Sequence, residues 1–196
     1  MHYSRIIRAL HALTALTITF QMVISLVMDH PRTSRPMSAT GGLFFRWHEW
    51  VGLAALAILV CGWAYRLSSW KRESQGRLFP WLSSPGRQAL FQDLKQFLLL
   101  RWTSIPEDGA LAGTVHGLGL LIAAAMVLTG GVIYFLLGPQ DTVTPTVRNV
   151  MEVHSFLATF MWIYLCSHAF MGVWHQYMGH GNLGRMFSLS RESQKH

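Results

Sequence analysis

Four long apolar runs constrain this chain more than any other feature. They extend from about residue 9 to 28, 47 to 67, 111 to 137 and 150 to 174. Each reaches the roughly 20 residues that a helix needs to cross a hydrocarbon core. Inside lipid only helices and closed barrels satisfy every backbone group, and these runs are too continuous for the alternation of barrel strands. The sequence therefore predicts an all-α fold, a transmembrane four-helix bundle forming one domain over residues 1–196. Hydrophobic residues make up 51% of the chain and charged residues 13%, about half the usual charged share. That composition argues against a soluble enzyme and against a disordered tail. Residues 1–8 and the run after them have the outline of a secretory signal. The run is longer than an h-region of roughly 7 to 15 residues and no small-x-small site follows it, so it is read as a retained helix. Cys61 and Cys166 both lie inside apolar runs, and no disulfide framework is visible.

The charges give an orientation. A net charge of +7 and a pI near 10.0 would suit nucleic acid if the cations clustered. They are divided instead. Twelve of the 16 Lys and Arg fall in the N-terminal segment, the central loop and the C-terminal tail, and the other four (Arg32, Arg35, Arg46, Arg148) fall in the remaining two loops. Basic residues resist translocation, so the termini and central loop are expected in the cytoplasm and the chain in a bacterial inner membrane, with no nucleic-acid partner. Within the central loop, Leu90, Phe91, Leu94, Phe97 and Leu98 recur at helical spacing among Gln and Lys. An amphipathic helix over Arg87–Trp102, lying on the cytoplasmic membrane face, follows from that spacing.

Ten histidines are many for a membrane chain with so few charges, and ionisable rings inside a bilayer are functional by default. His154 and His168 are fourteen residues apart. At about 100° per residue this is within roughly 40° of four whole turns, so both rings share a face, about 21 Å apart along the axis. His48 begins the second run from the external side, level with His154. His11 begins the first run from the cytoplasmic side, level with His168. Two depth-matched pairs are what two stacked bis-histidine haem b sites need. Zinc would gather three or four ligands at one point, and no acidic residue lies mid-membrane to supply a relay of carboxylates.

A small residue follows each of these histidines by one turn: Ala15, Gly52, Ala158 and Gly172. There a flat macrocycle could approach the helix closely. His175 keeps the face of His168 about 10 Å nearer the cytoplasm, and His116 lies at the cytoplasmic start of the third run. These two rings are read either as a quinone pocket beside the inner haem or as histidines of the headgroup region. Arg8, Arg46, Arg148 and Arg185 stand near segment ends, where they could meet haem propionates or lipid headgroups. Gly113 and Gly117 form G-x-x-x-G, which allows close helix approach.

The stretches Arg8-Ala9-Leu10-His11, Trp47-His48-Glu49-Trp50-Val51-Gly52 and His154 through His168 resemble the bacterial cytochrome b561 superfamily, which includes the cytochrome b subunits of nickel-iron hydrogenases and formate dehydrogenases. The resemblance implies two b haems, ligated by His11 with His168 and by His48 with His154. It also implies quinone or proton chemistry at His116 and His175, with ubiquinone or menaquinone as the mobile substrate. Phe79-Pro80-Trp81-Leu82, the amphipathic stretch and the tail from Gly181 look more like the dehydrogenase-associated subunits than the short free-standing form. Three functions follow as expectations. The first is an electron carrier between quinone and an external redox partner. The second is a superoxide-oxidising enzyme, for which His30, Arg32, Arg35 and Arg46 offer a cationic external patch. The third is the membrane subunit of a periplasmic hydrogenase or formate dehydrogenase complex.

Overall fold

A computed structural model of the chain describes residues 5–31, 36–68, 78–101, 106, 109–138 and 142–177, with the side chains of Leu67 and His175 outside that description. The described residues form helices and turns, with no strand. Five α-helices follow in order: α1 Arg5–Ile24, α2 Ala39–Ser68, α3 Ser84–Leu98, α4 Ala110–Leu137 and α5 Pro145–Tyr177, with a 3₁₀ turn at Pro80–Leu82 before α3. Four of the helices are long and apolar enough to cross a membrane. Their outward surface is lipid-like. Leu16 is 69% exposed, Leu128 61% and Ile163 63%, a load of apolar surface that no water-soluble monomer leaves uncovered.

Helix ends differ from the apolar runs because caps, not hydropathy, set them. α2 starts eight residues before the predicted 47. Ser38 Oγ accepts the Gly41 N–H at 3.0 Å, and Asp29 accepts both the Ser38 N–H and its hydroxyl at 2.7 Å. α5 starts five residues early, at Pro145, where the proline's missing N–H is no loss. Thr144 Oγ1 caps it by accepting the Val147 N–H at 3.2 Å. α1 ends before the predicted 28, its last turn tightening into 3₁₀ bonds from Leu26 and Val27. α4 stops at Gly138, whose φ of +65° suits the residue that follows a helix end. Thr144→Ala is expected to lower stability by about 1 kcal/mol, read as a lower thermal midpoint in detergent, with Thr144→Ser close to the parent.

By their contacts the residues fall into two units, Met1–Gly62 with Met126–His196, and Trp63–Ala125. In the first unit, segments of α1, α2, α4 and α5 pack as a four-helix bundle. One end of it is closed by Phe45, Leu137 and the fully buried Val147, with Met28, Met37, Val143 and Met151 against them. Further in, Met22 and Met161 are buried and fill space between the helices.

The second unit holds α3. Ser83 Oγ caps it through the Gly86 N–H at 3.1 Å, so it begins three residues before the predicted Arg87. Phe91, Leu94 and Leu98 are exposed along it, the amphipathic face expected. Asp93, on this helix, accepts the Leu111 N–H at 2.9 Å and so caps the start of α4. Gly117 is indeed a place of close approach, but to the turn before α3: a Cβ there would run into the Leu78 carbonyl and stand 3.0 Å from the Trp81 ring. Phe79 stacks on Trp63 with ring centres 6.3 Å apart.

Candidate functional site

Within the first unit four histidines form two pairs. His11 of α1 and His168 of α5 have ring centres 6.4 Å apart, inclined at 58°. His48 of α2 and His154 of α5 have ring centres 6.4 Å apart, near perpendicular at 89°. All four rings are half-buried. α5 supplies one histidine to each pair from a single face, as the fourteen-residue spacing requires.

That separation has a chemical meaning. A direct N–H···N bond would bring facing ring nitrogens to about 2.9 Å. Two imidazoles held by one metal ion from opposite sides, each nitrogen about 2 Å from it, have nitrogens about 4 Å and ring centres about 6 Å apart. Both pairs show the wider spacing. Among the described residues no group of three or more His, Cys, Asp or Glu comes together.

The pair at His48 and His154 has the fuller surroundings. Thr129 of α4 donates its hydroxyl proton to the Met126 carbonyl at 3.1 Å. Its oxygen also stands 2.8 Å from His154 Nδ1. A neutral His154 ring that ligates through Nε2 carries its proton on Nδ1, and the Thr129 oxygen is then placed to accept it. Gln21 of α1 donates from Nε2 to the His48 carbonyl at 2.7 Å, holding the backbone that carries that ring. His48 Nδ1 and Gln21 Oε1 are buried with no hydrogen-bond partner among the described residues, a state that costs roughly 1–3 kcal/mol per group and marks a place made for something more than packing.

Both rings line a cavity bounded by α1, α2, α4 and α5, together with Gly52, Gly130 and Gly131, the methionines Met22, Met126, Met151 and Met161, and the polar residues His30, Glu49, Tyr134 and Ser155. The glycines keep it open. A Cβ on Gly130 would stand 3.3 Å from His154 Cε1, and one on Gly52 3.2 Å from Gln21 Nε2. At the other pair, Tyr164 stacks on His168 with ring centres 5.3 Å apart and planes 12° from parallel.

Of the four small residues singled out in the sequence, Gly52 lines this cavity, while Ala15, Ala158 and Gly172 are half-buried one turn beyond their histidines. Gln21, Thr129, Gly130, Gly131 and Tyr164 carry no sequence motif and were not singled out. A Thr-Gly-Gly triplet inside an apolar run was the one available signal. Arg8 is half-buried one turn before His11, and Arg148 is exposed. Arg46 bonds Glu49 at 2.8 Å and lies over the Phe45 ring at 5.9 Å, so one cation of the external patch is already matched by a carboxylate. Arg185, Arg32 and Arg35 lie outside the described residues. His116 sits in the second unit, donating from Nδ1 to the Ala112 carbonyl at 2.7 Å. His175 is on α5 and its side chain lies outside the described residues.

A family model described as prokaryotic cytochrome b561 matches residues 2–189. Comparison with curated proteins and with solved structures returns no match.

Proposed function

We infer from the prokaryotic cytochrome b561 family, to which this chain belongs, that it holds two haem b groups and passes electrons between quinone and a redox partner on the external face of the inner membrane. Membership itself makes it a bacterial membrane b-type cytochrome of electron transfer. The observation that carries the finer reading is the pairing of four histidines at two equal ring spacings of 6.4 Å. His11 with His168 would hold one haem and His48 with His154 the other. Bound haem supplies one-electron redox chemistry, its potential tuned by axial ligands, hydrogen bonds and burial.

The chain's own groups serve that chemistry. Thr129 keeps the Nδ1 proton of His154 in place, so that Nε2 faces the task of ligation. Gln21 steadies the α2 backbone at His48. Gly52, Gly130 and Gly131 leave room between helices, and the apolar lining excludes water. Arg8, Arg46, Arg148 and Arg185 are the cations available to propionates, Arg46 sharing itself with Glu49. Toward the expected cytoplasmic side, His116 holds its proton on Nδ1. His116 and His175 are each proposed to serve the proton chemistry that accompanies electron transfer to a quinone. The external partner is a periplasmic redox protein or a small molecule such as superoxide, and lipid surrounds the four spans.

The purified protein is expected to show b-type bands in its reduced-minus-oxidised spectrum and about two haems per chain. Correctly folded, helical, colourless protein after expression with ample haem would overturn the reading.

A further inference from the structure

Helix α4 contributes no histidine to either pair, yet two of its consecutive residues touch the His154 ring. Thr129 Oγ1 meets Nδ1 at 2.8 Å, and Gly130 leaves so little space that a Cβ would come within 3.3 Å of Cε1. We propose that Thr129 is a positioning residue that sets the reduction potential of the haem bound between His48 and His154. The proposal rests on the reading of that pair as haem ligands.

The argument turns on who donates. A His154 ring that ligates through Nε2 carries its proton on Nδ1, and the Thr129 hydroxyl has the Met126 carbonyl within 3.1 Å to take its own proton. What faces His154 is an oxygen lone pair. It draws on the Nδ1–H, which enriches the ring in electrons and makes Nε2 a stronger donor. A stronger donor stabilises the ferric form over the ferrous form, so one-electron reduction, in which the Nδ1 proton stays on the ring, becomes less favourable. His48, the facing ring, has its Nδ1 buried without a hydrogen-bond partner among the described residues. Thr129 is therefore a side chain through which the protein can polarise this pair. The close floor at Gly130 keeps the ring from turning away from it.

A threonine bonded to a carbonyl of its own helix has a purely local role elsewhere, and the test separates the two. Thr129→Val keeps the shape and removes the acceptor, and Thr129→Ser keeps the hydroxyl. In a redox titration followed at the haem bands, Thr129→Val is expected to raise one midpoint by a several-fold to tenfold change in the oxidised-to-reduced ratio, tenfold being 59 mV for one electron. The other midpoint stays in place, and Thr129→Ser matches the parent. The low-spin electron paramagnetic resonance signal of the same haem should shift in Thr129→Val alone. Unmoved midpoints in Thr129→Val, or an equal shift in Thr129→Ser, would overturn the proposal. If Thr129→Val binds haem poorly, loss of one haem that Thr129→Ser restores supports it, and loss of both haems refutes it. Failure of the underlying reading looks different: His154→Ala would retain both haems, and the proposal would go with it.

Discussion

Alanine at His154 is expected to leave a chain that holds one haem where two are proposed, and alanine at His48 to leave the same one. The pairing at 6.4 Å makes the two substitutions equivalent, because each would remove one of the two rings proposed to hold the same haem. Removing the hydrogen-bond partner of a metal-bound histidine already costs roughly 10–100-fold in affinity, and losing the ligand itself should exceed that. His11→Ala and His168→Ala remove the other haem by the same logic. The helices themselves are not at risk, since alanine is the better helix former. Haem per chain, with the midpoint of the haem that remains, reads the outcome. The single substitutions at His48 and His154 must leave the same midpoint, and those at His11 and His168 the other. Losses that cross between the pairs would refute the assignment.

Much of this arrangement is legible in the residues, for identifiable reasons. Helical periodicity is rigid, so His154 and His168 had to share a face of α5, and the direction in which each span runs had to place His11 and His48 at matching depths. Helix ends were less legible. Hydropathy marks where lipid contact begins, whereas the first turn of α2 belongs to Ser38 and Asp29 and that of α5 to Thr144, polar residues outside the apolar runs. The surroundings of the pairs were least legible. Gln21 and Thr129 act through distances of 2.7 and 2.8 Å across helices whose relative rotation no single-chain pattern reveals. Gly117 shows the same limit. Its spacing to Gly113 suggested helix-to-helix contact, while its neighbour proves to be the irregular backbone at Leu78.

Gly52→Phe is expected to abolish one haem while leaving all four histidines in place. Gly52 lies one turn beyond His48 and lines the cavity shared by His48 and His154. A phenyl ring there occupies the space that a macrocycle between these rings requires. Gly52→Ala is the graded control. Its Cβ would stand 3.2 Å from Gln21 Nε2, the mobile end of a side chain, which can yield by a few tenths of an ångström at the expense of its bond to the His48 carbonyl. Two haems should therefore remain in Gly52→Ala. Replacing a helical glycine by alanine also gains about 1 kcal/mol of helix propensity. The haem-free Gly52→Ala protein should then be at least as heat-stable as the parent, and Gly52→Phe should lose its haem without losing its helices in circular dichroism. A variant that loses one haem yet keeps its helices cannot owe that loss to general misfolding. If Gly52→Phe kept both haems, the cavity beside His48 would not be where the haem binds, whatever the spacing of the rings.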